Sequence, residues 1–249
     1  SEALLASTND TLTIENQTLE EETTTNPPEF IEFPSLDGLP ISGTIYEISP
    51  EAQTILLCHQ AGYNMHEYDE IAPRLNDLGF NCIAIDQRSG GMLFGEMNQT
   101  TDRAITEELP VQYIDAEQDI LAAIDFTYDK YGMPVILWGS SYSSALALHI
   151  ATNNDNLKAV VSFSPGNYFG DKKPNLAEIV PDIDVPFFIT SSKTEAKAVT
   201  EILSGIEMDD THVQFIPETQ GKHGSKALWA DHSENMEYWN AIESFLDKL

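Results

Sequence analysis

Basic side chains are scarce in this sequence. The 249 residues include 12 Lys and Arg against 41 Asp and Glu, so the formal net charge is −29. Binding to nucleic acid or to an anionic membrane surface needs a basic face on the protein. We therefore expect neither as a partner. We interpret the acidity as a solvated surface that repels anionic molecules at long range.

Cysteines and long apolar runs are also scarce. The two cysteines, Cys58 and Cys82, each lie in an apolar run, which is typical of buried free thiols rather than of a disulfide or a metal site. No stretch reaches the roughly 18 consecutive apolar residues that a membrane span needs. We therefore expect no membrane span, no metal and no cofactor.

The first 28 residues contain no Lys or Arg and few large apolar side chains, and they end in Asn26-Pro27-Pro28. Such a segment cannot bury enough apolar surface to offset the entropy lost on ordering. The sequence thus predicts a flexible acidic tail over residues 1–28 and one domain over residues 29–249. An acidic stalk of this kind suits a bacterial protein whose signal has been removed. We expect an exported protein that is periplasmic, extracellular or lipid-anchored.

From residue 29 onwards, strand and helix patterns alternate. Eight segments read as strands: 30–33, 41–46, 53–58, 81–86, 135–138, 158–163, 185–190 and 211–216. The main helical segments are 67–78, 113–131, the run after Tyr142, 195–204 and 225–248. Alternation of this kind predicts a mostly parallel sheet with helices on both faces. The turn at Leu36-Asp37-Gly38 adds an antiparallel hairpin at the start, and the loops leave room for little or no cap.

One turn in this pattern carries a reactive side chain. The apolar strand from Val135 to Trp138 runs into Gly139-Ser140-Ser141-Tyr142-Ser143, and a helix rich in alanine and leucine follows. The turn matches the nucleophile elbow G-x-S-x-G, with Ser143 in place of the last glycine. A small side chain is needed there because the strand and the helix cross closely. The pattern therefore predicts Ser141 as a nucleophile.

An acid and a base follow later strands. Ligands of open α/β sheets bind beyond the carboxyl ends of the strands. Glu195 follows the strand at 185–190, and His223 lies between two glycines after the strand at 211–216. The order Ser141, Glu195, His223 is that of a Ser–acid–His triad. Asp171 is the alternative acid, since some hydrolases place this residue one strand earlier.

Two further turns at this edge offer binding groups. After the strand at 53–58, the backbone N–H of Ala61 is expected to pair with that of Tyr142 as an oxyanion hole, with Gln60 as the neighbouring alternative. Gln60 and Arg88 are also candidates for contact with substrate. For Arg88 we favour a second role, in which it fixes its loop through carbonyls or a carboxylate such as Asp86.

Taken together, these segments resemble the α/β-hydrolase superfamily, and within it the dienelactone-hydrolase-like esterases, over roughly residues 29–249. The resemblance rests on the elbow and on four other segments: 57–62 (LCHQAG), 84–91 (AIDQRSGG), 185–189 (VPFFI) leading to Glu195, and 221–224 (GKHG). The acid turn of the family is G-x-x-D, whereas this chain has Ser192-Lys193-Thr194-Glu195. Dienelactone hydrolase has cysteine at the elbow, so Ser141 points to a serine esterase.

The resemblance implies a hydrolase that cleaves carboxylic esters of small molecules through an acyl-enzyme. Two alternatives stay open. The departures at Ser143 and Ser192 leave room for a non-catalytic binding protein with the α/β-hydrolase fold. A small peptidase or a thioesterase would use the same triad.

Overall fold

The computed structural model describes residues 26–249. The strands are β1 (Glu29–Pro34), β2 (Pro40–Tyr46), β3 (Thr54–Cys58), β4 (Asn81–Ile85), β5 (Met92–Leu93), β6 (Glu96–Met97), β7 (Val135–Ser140), β8 (Leu157–Phe163), β9 (Phe187–Thr190) and β10 (His212–Phe215). The α-helices are α1 (Ile71–Asp77), α2 (Gln99–Thr106), α3 (Glu117–Tyr131), α4 (Tyr142–Ala151), α5 (Leu176–Ile179), α6 (Ala196–Ile202) and α7 (Asn235–Leu246). The tail expected over residues 1–28 lies almost wholly outside this range, and residues 26–28 are exposed.

The sheet confirms the predicted α/β architecture. Within residues 26–249 it has eight strands in the order β1-β2-β4-β3-β7-β8-β9-β10. Strands β1 and β2 form the antiparallel hairpin, and β2 is also antiparallel to β4. The pairs from β4 to β10 are parallel. The carboxyl ends of β3, β7, β8, β9 and β10 therefore meet at one edge.

The core lies on both faces of this sheet. Every residue of β3, β4 and β7 is buried, which explains their continuous apolar runs. Helices α3, α4 and α6 cover one face, and α1 and α7 cover the other. Cys58 and Cys82 are buried and free, and burial raises the pKa of both thiols. No helix in the described range is long and apolar enough to cross a membrane.

The prediction of one helix over 67–78 is wrong for the first half of that segment. The chain instead forms a 3₁₀ turn at Met65–Tyr68, capped by the side chain of Asn64, and then α1. Pro73 explains the break, because a proline fits the first turn of a helix but clashes with the carbonyl four residues earlier in a helix interior. The break turns Glu67 inwards, where it is fully buried.

The helix predicted over 225–248 is also divided. A 3₁₀ turn covers Ser225–Leu228, and α7 begins only at Asn235. Trp229 is extended between them, and its indole N–H donates to the carbonyl of Glu67 at 2.8 Å. This contact between distant segments replaces the helical continuation that local sequence favours.

Candidate active site

Ser141 occupies a strained turn between β7 and α4. Its φ is 58° and its ψ −121°, a region that costs about 1–3 kcal/mol for a residue with a side chain. Gly139 allows the close crossing, since a Cβ there would lie 2.5 Å from the Ser143 carbonyl oxygen. The serine that replaces the second glycine of the motif adds bonds. The Ser143 hydroxyl accepts from the Ser140 N–H and donates to the Cys58 carbonyl, both at 2.8 Å.

The structure brings the three predicted triad residues into one hydrogen-bonded chain. Nε2 of His223 lies 2.8 Å from Oγ of Ser141, and Nδ1 lies 2.5 Å from Oε1 of Glu195. Glu195 directly precedes α6. His223 lies between Gly221 and Gly224, whose φ values of 61° and 73° suit glycine. The distances are those of a nucleophile, its base and an orienting acid.

The Glu195 carboxylate is held in its ionised form. Its Oε2 accepts from the N–H of Ser192 at 3.1 Å and from the Ser192 hydroxyl at 2.6 Å. Burial raises the pKa of Glu195, but the hydrogen bonds from His223 and Ser192 outweigh this and lower it to about 2. Ser192, which stands in place of the family's glycine, thus supplies two donors to the acid.

Ser164 is a functional candidate that the sequence analysis missed. It follows β8 with a φ of 58°, and its hydroxyl donates to Oε2 of Glu195 at 3.1 Å. The same hydroxyl accepts from the N–H of Gly224 at 3.0 Å, so it links the acid to the histidine loop. Its place at the end of a strand was the one available signal, because a serine before a proline has no pattern of its own.

A cavity of about 340 Å³ lies beside this chain of residues. Its lining is mostly aromatic or polar: Gln112, Tyr113, Ile114, Tyr168, Phe169, Gly170 and Lys172. The Tyr168 hydroxyl donates to the carbonyl of Ser164 at 2.8 Å. Burial raises the pKa of Tyr168, and the nearby Ser141 side chain opposes this shift. Tyr113 stacks on Tyr142 with ring centroids 4.6 Å apart. Two lining tyrosines therefore connect the cavity to neighbours of the triad, Tyr113 through Tyr142 and Tyr168 through Ser164.

The two expected oxyanion donors lie at the same edge of the sheet. Ala61 is in the turn after β3, and within the described residues its N–H donates to no protein acceptor. Tyr142 is the first residue of α4, where backbone N–H groups have no intrahelical acceptor.

The structure corrects the role of Gln60 as an alternative oxyanion donor. Its backbone N–H donates to Oε2 of Glu67 at 2.7 Å and its side-chain amide to Oε1 at 3.1 Å. The backbone N–H is therefore not free to bind an oxyanion, and the side-chain amide is directed at Glu67.

The suggested contact of Arg88 with substrate is also wrong, because this side chain is buried and holds parts of the fold together. Its side chain has no exposed surface and donates to Asp119, Asp37 and Ser35. Arg88 does fix its loop through carboxylates, but these belong to Asp37 and Asp119 rather than to Asp86. Asp86 accepts instead from the backbone N–H groups of Met65 and Gln99.

The alternative acid, Asp171, is exposed and does not contact His223. Within residues 26–249, no cluster of three or more His, Cys, Asp or Glu side chains is arranged to hold a metal ion. Glu195 is therefore the acid that the geometry favours.

Comparison with known proteins supports the α/β-hydrolase fold and identifies a family. A family model described as serine aminopeptidase, S33, matches residues 49–201. A Pyrococcus furiosus esterase is 15% identical, with a TM-score of 0.65 over 89% of this chain and 92% of that chain. The dienelactone hydrolase of Anabaena variabilis is 14% identical, with a TM-score of 0.66 over 89% of this chain and 98% of that chain. At these identities the likeness shows the fold alone. No curated protein sequence matches the chain.

Proposed function

The chain belongs to the serine aminopeptidase S33 family of α/β hydrolases, and on this premise we propose that it cleaves carboxylic esters of small molecules with Ser141 as nucleophile. The observation that carries the proposal is the continuous chain from Glu195 through His223 to a strained Ser141. A serine hydroxyl is a poor nucleophile by itself and needs an adjacent base. The chain meets that need with one link of 2.8 Å and a shorter one of 2.5 Å.

The proposed reaction has two steps. Oγ of Ser141 attacks the ester carbonyl while Nε2 of His223 takes the hydroxyl proton, and His223 then returns this proton to the departing alcohol. In the second step water attacks the acyl-enzyme while His223 takes its proton; the bond between the acyl carbon and Oγ breaks, His223 returns the proton to Ser141, and the carboxylic acid is released. The Ala61 and Tyr142 N–H groups stabilise the negative carbonyl oxygen in both steps. Glu195 holds the histidine tautomer and stabilises the imidazolium.

Amide hydrolysis is the second candidate, because the family description names an aminopeptidase. An aminopeptidase must bind a cationic α-amino group, which an anionic side chain near the nucleophile would recognise. The cavity beside Ser141 is lined by Lys172 and by no acidic residue. The lining therefore offers no carboxylate to a cationic α-amino group, which favours an ester over an aminopeptidase substrate. Parallel assays of p-nitrophenyl acetate and alanine p-nitroanilide separate the two candidates.

The acid assignment is tested by two variants. Glu195→Gln keeps the shape of the side chain but removes the charge, so we expect kcat to fall by about 10³- to 10⁴-fold. Asp171→Asn is the matched control and should change kcat by less than about twofold. Steady-state hydrolysis of p-nitrophenyl butyrate measures both. Equal, mild effects of the two changes would remove Glu195 from the triad.

The aromatic cavity is expected to bind the apolar part of the ester. Tyr113→Ala removes one wall, and loss of an aromatic contact of about 1.4 kcal/mol raises KM about tenfold. The increase should appear with p-nitrophenyl benzoate and be much smaller with the acetate. Tyr128→Ala, an exposed tyrosine of α3 outside the cavity, is the control. An equal rise in KM for both esters would show that the acyl group does not bind there.

A further inference from the structure

A buried carboxylate outside the triad lies directly behind the site. Glu67, in the 3₁₀ turn at Met65–Tyr68, has no exposed surface. Among the described residues, no Lys, Arg or His side chain forms an ion pair with it. A buried charge without a cation is costly unless hydrogen bonds replace the lost water. Its partners therefore indicate what the charge does.

All three side-chain contacts of Glu67 come from residues beside the reacting groups. Its Oε2 accepts from the N–H of Gln60, and its Oε1 accepts from the amide of Gln60 and, at 2.8 Å, from the hydroxyl of Ser140. Ser140 Oγ in turn accepts from the N–H of Ser225 at 2.8 Å. Gln60 precedes Ala61 and Ser140 precedes Ser141.

The third connection reaches the histidine loop. Ser225 follows His223 by two residues, and a Cβ on the intervening Gly224 would lie 2.6 Å from Oγ of Ser140. The loop therefore packs directly against the hydroxyl that Glu67 holds. One carboxylate is thus connected to the oxyanion turn, the elbow and the histidine loop, which lie far apart in the sequence.

We propose that ionised Glu67 is a positioning residue, which fixes the Ala61 turn, the elbow and the His223 loop in the geometry that ester hydrolysis requires. The inference rests on the proposed function. A carboxylate has two acceptor oxygens and can satisfy all three donors, whereas a glutamine has one oxygen and would oppose a donor with a donor. The same requirement explains why a charged residue lies at a fully buried position.

The ionisation state of Glu67 adds a pH dependence. Burial raises the pKa of Glu67 to about 7, although the hydrogen bonds from Gln60 and Ser140 oppose this. The charged or titratable side chains near it are Lys226, which favours ionisation, and Tyr68. Because the ionised form is the positioning form, the activity it supports is lost as pH falls through about 7.

Glu67→Gln tests the proposal, with Asp86→Asn as the matched control. Asp86 is also a buried carboxyl, and burial raises its pKa to about 6, but its backbone partners Met65 and Gln99 lie outside the triad segments. Met65 begins the turn that carries Glu67, and the remaining oxygen of an asparagine can still accept from its N–H. We expect Glu67→Gln to lower kcat by about 10- to 100-fold with KM nearly unchanged, as a shift of reacting groups by about 1 Å would do. The pH profile of kcat/KM for Glu67→Gln should also lack the decrease at low pH that protonation of Glu67 causes in wild type. Asp86→Asn should keep the pH profile of wild type.

Amide hydrogen exchange provides a readout that does not depend on ester hydrolysis. Glu67→Gln should speed exchange at Gln60 and Ser225 relative to wild type, and Ser140→Ala should do so at Ser225 alone. If Glu67→Gln stays folded with unchanged exchange, kcat and pH profile, or if Asp86→Asn has equal effects, the positioning role is wrong. If wild type hydrolyses no ester but exchange responds as expected, the proposed function fails and the role of Glu67 in holding the three segments stands. A Glu67→Gln chain that does not fold is replaced by Ser140→Ala, whose unchanged Ser225 exchange and kcat would equally overturn the proposal.

Discussion

Ser141→Ala is expected to lower kcat for p-nitrophenyl acetate and butyrate by about 10⁵-fold. The change removes the atom that attacks the carbonyl, and water at the same place has no comparable positioning. The fold should persist, since the Ser141 hydroxyl is bonded to His223 and to no residue of the core. The low remaining rate would come from the oxyanion donors and from substrate binding.

The control is a serine of the same helix turn. The Ser144 hydroxyl donates to the Ser141 carbonyl at 2.6 Å but touches no reacting atom, so Ser144→Ala should keep kcat within about tenfold of wild type. A fluorophosphonate, which reacts with activated serines, should add one adduct to wild type and none to Ser141→Ala by intact mass. Unchanged hydrolysis in Ser141→Ala would remove it as the nucleophile. If wild type hydrolysed no ester, thioester or amide and was not labelled, that result would favour the non-catalytic binding protein.

Asp119→Ala is expected to lower the free energy of unfolding by about 3–5 kcal/mol. The Arg88 guanidinium and the Asp119 carboxylate are both completely buried and lie 2.8 Å apart. Removing the carboxylate leaves a buried positive charge with Asp37 as its remaining anionic partner. Asp119 also accepts from the Ser35 hydroxyl at 2.6 Å, which loses its acceptor. Urea unfolding followed by tryptophan fluorescence measures the change.

Glu117→Ala serves as the comparison for this effect. Glu117 pairs with Lys173 at 2.7 Å, but both side chains are partly exposed, and such pairs contribute about 0–1 kcal/mol. A similar loss in both variants would mean that burial of the Arg88 pair adds nothing. Arg88→Met combined with Asp119→Leu should recover much of the stability, because no buried charge is then left unpaired and Asp37, which loses its cation, is partly exposed to water.

The sequence predicts the parts of this site that follow from local pattern. Buried parallel strands produce unbroken apolar runs, and the residue after each run must lie at the carboxyl edge of the sheet. Ser141, Glu195 and His223 could be selected for this reason without knowledge of the strand order. The elbow was identifiable because only small residues fit where β7 and α4 cross.

Most of the errors concern contacts between distant segments. Glu67 lies in a run with helical periodicity; Pro73 is a local sign that the helix breaks, but nothing local shows that the break turns this side chain inwards. Arg88 was expected beside Asp86, its near neighbour, but its ion pairs are with Asp37 and Asp119, which topology brings together. Ser164 and Ser192 acquire their contacts with Glu195 in the same way.

The positive φ of Ser141 sets stability and function against each other. Glycine would relieve the backbone strain at this position, so a sequence selected for thermal stability alone would replace the serine. Laboratory evolution that screens only for survival on heating should therefore drift towards inactive chains with glycine at the elbow. Conversely, an active chain that has become more heat-resistant must have gained its stability elsewhere in the fold.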